Sequence, residues 1–196
     1  MVIVELPTIM FKKIFGGGSS GSRYEESDNS FEDAYQDLTI AVKSALDSAY
    51  QLSFDKVERI IEDGGYDYFY SLNALKDESL ESRSYDISYI LSAYSVSMQD
   101  DAAEEDMLKK INASADHMFP VTYVVRSQTR PIITEDGELT EEEFEYAVCT
   151  IHPLEYDTIL IAFDIDKEAP YGDSPLTYGQ AIDNIAEALR RTLLGG

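Results

Sequence analysis

The residues best suited to nucleophilic chemistry are Cys149, the single thiol of the chain, and His152, an imidazole three residues later. Thiol catalysis needs a cysteine that a neighbouring base activates. On a strand, residues three apart point to opposite faces of the sheet. Cys149 shares its predicted face with Ala147 and Ile151, so we expect a buried, inert thiol and no catalytic residue.

A second candidate chemistry is cation binding by the acidic residues Asp164, Asp166, Glu168 and Asp173. Carboxylates are the ligands that a hard cation takes. The spacing lacks the glycine and the closing glutamate of an EF-hand loop. We therefore expect a solvated acidic loop, with no metal and no other cofactor, although a cation at this loop stays open.

Paired carboxylates, the groups that cleave glycosidic bonds, are offered by Glu141–Glu143 together with Glu145. Such runs arise easily in an acid-rich chain, and this run is expected at an exposed turn. No phosphate-binding loop, GxSxG motif or HExxH motif accompanies it. The carboxylates support an enzyme only as an alternative function.

The sequence YDYFY at 66–70 places four aromatic side chains within five residues. A single helix or strand face cannot bury them all. Some are expected to fill the core, and the exposed ones would form a contact site, because tyrosine is enriched where proteins bind one another. The predicted interaction residues are Tyr66, Tyr68, Phe69 and Tyr70.

The composition limits the possible partners and the possible covalent links. The 38 acidic and 15 basic residues give a net charge of −23, which repels nucleic acid, so no nucleic-acid partner is expected. One cysteine excludes an intramolecular disulfide and a CxxC zinc site. It does not fix the compartment of the protein.

The elements that must position these residues begin with helices. Apolar residues at three- and four-residue spacing predict a long amphipathic helix from about 30 that ends at Gly64-Gly65. A short helix or turn is expected at 66–75, and further helices at 84–98 and about 102–117. Thr177 and Gln180 form a capping box, which predicts a closing C-terminal helix.

Strands are predicted at 121–126, 144–152 and 158–165. Asp136-Gly137 is the expected turn between the first two, and the nearly all-apolar third strand is expected to be central. Short links favour an antiparallel meander of three or more strands. The fold class is therefore α+β, with N-terminal helices packed on the meander.

The first 22 residues differ in composition from the rest. An apolar stretch at 1–15 is followed directly by GGGSSGS at 16–22. This order is typical of the remnant of a hydrophobic anchor followed by a flexible tether. The apolar stretch is too short and too interrupted to span a bilayer as it stands. We expect a single α+β domain over 23–196.

Several blocks together carry a resemblance to a known family: SYDISYILSAYSVSMQ at 84–99, HMFPVTYVV at 117–125, TIHPLEYDTILIAFDID at 150–166 and YGQAIDNIAEALRRTLLGG at 178–196. They resemble the extracytoplasmic region of membrane-anchored cell-wall hydrolases of Gram-positive conjugative elements. In that family this region precedes a peptidase domain of the NlpC/P60 type. The order of helices and sheet also resembles the VirB8-type domains of type IV secretion machines, by analogy of fold alone.

The resemblance implies a non-catalytic spacer and docking module at the cell surface, held to the membrane through an N-terminal anchor. Its partners would be proteins of the conjugation and secretion machinery, or a second copy of itself. The catalytic residues of the peptidase are expected beyond Gly196. Two alternatives stay open, a stand-alone carboxylate-based wall hydrolase and an acidic cytosolic binding protein.

Overall fold

A computed structural model describes residues 29–77, 84–98 and 104–193. The predicted anchor remnant and tether at 1–22 lie outside the described residues. The helices are α1 (Asn29–Gly64), α2 (Tyr68–Asn73), α3 (Ile87–Met98), α4 (Glu104–Ala113), α5 (Ala115–Met118), α6 (Tyr156–Ala162) and α7 (Tyr178–Leu193). The strands are β1 (Lys76–Asp77), β2 (Val121–Ile133) and β3 (Leu139–Ile151). The predicted α+β class is confirmed.

Helix α1 is one continuous helix of 36 residues that ends where the glycine pair predicts. Gly65 has a φ of 63°, and its N–H donates to the Glu62 carbonyl while the Tyr66 N–H donates to the Ile61 carbonyl. This pattern is a Schellman motif, which closes a helix with a residue in the left-handed conformation. The local sequence therefore determines the end of α1.

The sheet is a long ribbon of β2 and β3, which pair antiparallel from Val121↔Ile151 to Ile133↔Leu139. Both strands are longer than predicted, at 13 residues each. The turn falls at the expected Asp136-Gly137, with Gly137 at a φ of 80°. The third member of the sheet is the two-residue β1, which runs parallel to β3 on the side away from β2.

The predicted central strand at 158–165 is wrong, because this segment forms helix α6 and the turn after it. Ile159, Leu160 and Phe163 are buried, whereas Ile161 is 72% exposed. That spacing is the buried stripe of a helix, and a short apolar run does not distinguish the two structures by itself. The sheet is consequently not a three-stranded antiparallel meander.

The Cα positions divide the chain into two compact units. The first comprises the described residues of Met1–Ser48, Ser84–Met118 and Glu155–Gly196, and it is helical. Within it α3 packs against α7, and the Tyr94 and Phe163 rings meet edge to face at 5.2 Å. The capping box of α7 is confirmed, since the Gln180 side chain accepts from the Thr177 N–H and Thr177 Oγ1 accepts from the Gln180 N–H.

The second unit comprises the described residues of Ala49–Arg83 and Phe119–Leu154, and it contains the ribbon. The Tyr50 and Phe119 rings meet edge to face at 5.3 Å, and Ser53 Oγ donates to the Phe119 carbonyl at 2.8 Å. Ala147 and Cys149 of β3 are fully buried. Whether 23–196 folds as a single domain stays a prediction, because a compact unit is not shown to fold alone.

Candidate functional site

The two edges of the ribbon in the second unit differ in their hydrogen bonds. Residues 67–77 cover the edge of β3: the Asp67 N–H donates to the Glu145 carbonyl at 2.7 Å, and Ser71 Oγ accepts from the Ala147 N–H at 3.0 Å. Strand β1 pairs with Thr150 and Ile151 farther along. Along 145–151, peptide groups of β3 therefore find partners on the side away from β2 as well.

The outer edge of β2 is open. Among residues 29–77, 84–98 and 104–193, no backbone hydrogen bond joins β2 to any segment but β3 along 122–132. Tyr123, Val124 and Val125 are 48%, 56% and 41% exposed, although they follow one another along the strand. Because neighbouring residues point to opposite faces, apolar surface is exposed on both faces of β2.

A cavity of about 620 Å³ lies beside the start of β2. Val121 and Tyr123 line it from the strand, and Lys56, Arg59 and Asp63 line it from α1. The Tyr66 ring is a further wall. It lies over Gly64, where an added Cβ would overlap the ring, and it is tilted against the Tyr123 ring at 6.4 Å. The glycine therefore makes room for this wall.

Strand β2 itself contains basic residues and no acidic residue, although acidic residues of β3 lie opposite it. The basic residues are Arg126 and Arg130. Arg126 is exposed and forms no ion pair within the described part of the chain. The charge around the edge is mixed, because the four glutamates at 141–143 and 145 of β3 lie opposite β2 in the ribbon register. The charge of Glu145 also helps to raise the pKa of Tyr66 in the cavity wall.

The four predicted interaction residues are divided between two environments. Tyr70 packs on the face of the ribbon, 4.5 Å from the Phe144 ring and 6.0 Å from the Tyr146 ring. Tyr66 is partly buried in the cavity wall, and this burial raises the pKa of its phenol. Both rings stabilise the second unit rather than reach freely into solvent.

Tyr68 and Phe69 are the exposed members, at 50% and 70%. The Tyr68 hydroxyl donates to the Glu58 carboxylate at 3.3 Å, and the charge of Glu58 raises the pKa of the phenol. Phe69 makes a ring contact with Tyr70 at 6.0 Å and is otherwise the most exposed of the four. The use of these four residues in binding stays a prediction.

Arg130 joins the covering segment to the ribbon. Its guanidinium donates to Asp67 at 2.7 Å and to Glu142 at 2.8 Å, and it lies 4.8 Å from the centre of the Phe144 ring. The pKa of the Asp67 carboxyl lies below its usual value, mainly because the Tyr70 N–H donates to it and, to a smaller extent, because Arg130 pairs with it. Asp67 also caps α2 through that N–H. Arg130 is thus an internal contact, unlike Arg126.

Cys149 and His152 do not form a catalytic pair in the described geometry. The thiol is fully buried, and burial raises its pKa. The His152 ring instead contacts β2, where its Nε2 lies 2.8 Å from Thr122 Oγ1. A raised pKa lowers the thiolate fraction, which is the reactive form.

The acidic candidates are placed as follows. Glu142 is paired with Arg130, and Glu141, Glu143 and Glu145 alternate with it along β3. In the 164–173 loop, Asp166 accepts from the Glu168 N–H at 3.0 Å. Within the described residues, no group of three or more His, Cys, Asp or Glu side chains is placed to hold a metal ion.

A separate question is whether the chain could span a membrane. None of the helices in the described residues combines the length and the apolar composition that a bilayer span needs.

The open edge is the feature that sequence reasoning missed. Two signals point to it: residues 117–134 contain no Asp or Glu in a strongly acidic chain, and Pro131 lies inside β2. Proline has no N–H for a ladder and is therefore typical of edge strands. Together they predict an edge strand with an unusual local charge.

Comparison of the chain with family models, curated proteins and solved structures finds no match. The open edge, the adjoining cavity and the exposed aromatic residues are the features of this chain that bear on its function.

Proposed function

We propose that this chain is a non-catalytic docking module that binds another protein through its second unit. One observation carries the proposal. Eleven large hydrophobic side chains are exposed among the described residues, and nine of them belong to the second unit. They are Leu52, Tyr68, Phe69, Leu72, Tyr123, Val124, Val125, Ile133 and Leu139.

Exposed apolar side chains in one unit favour binding for a physical reason. Single exposed apolar residues are normal on a protein surface, but Tyr123, Val124 and Val125 follow one another along one strand and expose area that association removes from water. An open strand edge adds unpaired peptide groups, which natural proteins usually cover or blunt. A partner on this unit would bury the apolar side chains and pair the free peptide groups.

In the full-length protein, we propose that this module spaces a cell-wall hydrolase from the membrane and docks it to conjugation machinery at the cell surface. This part of the proposal is supported by the resemblance of 84–99, 117–125, 150–166 and 178–196 alone. A membrane anchor before the module and a peptidase after it are elements of the same proposal.

Site-specific cross-linking in cells that make the protein from its own gene tests the docking function. The photoreactive residue benzoylphenylalanine replaces Phe69, which is 70% exposed, or Ile161, a matched control in the first unit that is 72% exposed. We expect a protein adduct from position 69 and none from position 161. Equal adducts from both positions, or none from either, would contradict a docking role of the second unit.

A second assay separates the module from the wall-hydrolase alternative. The isolated chain is incubated with purified peptidoglycan, with and without divalent metal, and released fragments are measured. We expect no release under either condition. Release that disappears when Glu141 and Glu143 are changed to Gln would instead establish a carboxylate-based enzyme.

A further inference from the structure

We infer that the outer edge of β2 pairs antiparallel with the same edge of a second copy of this chain, about a two-fold axis at Tyr123. This inference goes beyond the proposed docking function, since it assigns the open edge to self-association and leaves the exposed aromatic residues of α2 for another partner. Three features of residues 121–125 support it: the direction of their peptide groups, their lack of charge and the room beside them.

The ribbon register determines which peptide groups of β2 point outward. Ser71 Oγ accepts from the Ala147 N–H, so Ala147 points its peptide groups away from β2. Directly opposed residues of an antiparallel pair either bond to each other or both point away. Val125, the register partner of Ala147, therefore points its peptide groups to the outer edge. Every second residue does the same, which includes Tyr123 and Val121.

Pro131 fits the same alternation, because it lies an even number of positions from Val125. The N–H that proline lacks is one that would point to the outer edge, so it costs no hydrogen bond to β3. A second strand cannot complete its ladder at Pro131, but the outward peptide groups before it have no backbone partner among the described residues.

The stretch VTYVV at 121–125 matches itself in an antiparallel pair. An axis at Tyr123 places Tyr123 opposite Tyr123 of the second copy, Val121 opposite Val125, and Thr122 opposite Val124. Aromatic and β-branched residues are favoured partners on neighbouring strands. Tyr123, Val124 and Val125 are 48%, 56% and 41% exposed, so the pairing removes apolar surface from water. Two-fold pairs of this kind are the commonest form of protein oligomer.

The lack of charge at 121–125 lets two acidic copies meet there. With the axis at Tyr123, the two copies of Arg126 lie about six positions apart along the strands, roughly 20 Å. The two copies of Glu145, which is opposite Ser127, are farther apart still. At physiological salt, charges more than about 8 Å apart are largely screened. The mixed charge of the ribbon beyond Val125 therefore does not select against a second copy.

The cavity of about 620 Å³ provides room beside the same edge. Tyr123 and Val121 line it, and directly opposed residues of a second strand project from the same face of the sheet. Tyr123 of the second copy is thus placed to contact the Tyr66 ring, which lies 6.4 Å from Tyr123 of its own chain. The entering side chains are neutral, so they bring no like charge to the cavity.

Disulfide trapping tests the axis. The full chain carries Cys149→Ala, so that only an introduced thiol can react. Tyr123→Cys places two thiols across the axis, where opposed Cα atoms are about 5.5 Å apart and within reach of a disulfide. Ser127→Cys on the same edge is the matched control, since its two copies are about eight positions apart, and Ile161→Cys is the control in the first unit.

After mild oxidation, non-reducing electrophoresis should show at least about tenfold more linked dimer from position 123 than from either control position. Sedimentation velocity should show a reversible dimer of the wild type, because pairing over about five residues buries less than the standard interface of about 1,600 Å². Val125→Pro removes one outward N–H and should weaken this dimer at least about tenfold. Val125→Ala keeps that N–H and should weaken it less. Circular dichroism checks that each variant folds.

The inference is overturned if the wild type stays monomeric at every concentration, or if either control position links as readily as position 123. A folded Val125→Pro variant that dimerises as well as Val125→Ala would overturn it too. If that variant does not fold, the disulfide comparison decides alone. The adduct of a different protein at position 69 is measured separately, so the docking function and this inference can fail independently.

Discussion

The two edges of the ribbon differ in whether other segments of the chain cover them. Over 145–151, strand β3 has its edge covered by Asp67, Ser71 and β1, and its residues Ala147–Cys149 are buried. Strand β2 is paired with it residue by residue, yet exposes nearly its whole length. From this difference we expect the covered part of β3 to stabilise the second unit, whereas β2 is the edge that we propose for binding. Four predictions test this division of roles.

The largest effect is expected from directly opposed valines. Val148 of β3 is 7% exposed and Val124 of β2, its pairing partner, is 56% exposed. Val148→Ala should lower the free energy of unfolding by about 2–3 kcal/mol, because it deletes two buried carbons and leaves a cavity. Val124→Ala should cost less than about 0.5 kcal/mol. Urea unfolding measures both, and similar costs would refute the division.

A matched pair of serines tests the covered edge. Ser71 is fully buried and accepts from the Ala147 N–H, whereas Ser127 is exposed on β2. Ser71→Ala should cost about 1–3 kcal/mol, since it leaves a buried N–H without a partner. Ser127→Ala should change stability by less than about 0.5 kcal/mol. If thermal and urea unfolding rank them the other way, Ser71 does not support β3.

The buried thiol gives a smaller and chemically distinct test. Cys149→Ala should cost about 1 kcal/mol of stability, since one buried atom is removed. In the wild type, a thiol reagent should modify Cys149 only as the chain opens, because the thiol is fully buried and its pKa is raised. The rate is compared with and without urea. Rapid modification of the folded chain would show that β3 is not covered.

The smallest effect concerns pH and Asp67, whose folded pKa lies below its usual value through the Tyr70 N–H and Arg130. A lowered pKa stabilises the fold above the unfolded pKa, about 3.9, and that stability is lost as pH falls through the folded pKa. Asp67→Asn should therefore lose less stability than wild type on acidification from pH 5.

The Asp67 titration is followed by carboxyl carbon NMR. Arg130→Gln is the control variant, and it should raise the pKa of Asp67 toward its usual value while leaving the Tyr70 N–H bond in place. A carboxyl that titrates normally in wild type would show that this ion pair does not join α2 to the ribbon.

Much of the secondary structure was predictable because its signals are local. The Gly64-Gly65 end of α1, the Asp136-Gly137 turn and the Thr177–Gln180 capping box each lie within four residues of the groups they bind, and all three are confirmed. The apolar run at 158–165 misled, since buried strands and buried helices share that composition. The helix that this segment forms is followed by Asp164, which adopts a left-handed φ of 57°.

The sequence by itself determined the α+β class, the helix ends, the hairpin turn and the acid-free composition of 117–134. Only the tertiary structure decided which edge of the ribbon is covered, because the groups that cover it are far apart in the chain. Ser71 and Ala147 are 76 residues apart, and Asp67 and Arg130 are 63 residues apart. No local sequence pattern predicts such long-range contacts. They form when the ribbon packs beside α2, and the same packing leaves the outer edge of β2 without a partner among the described residues.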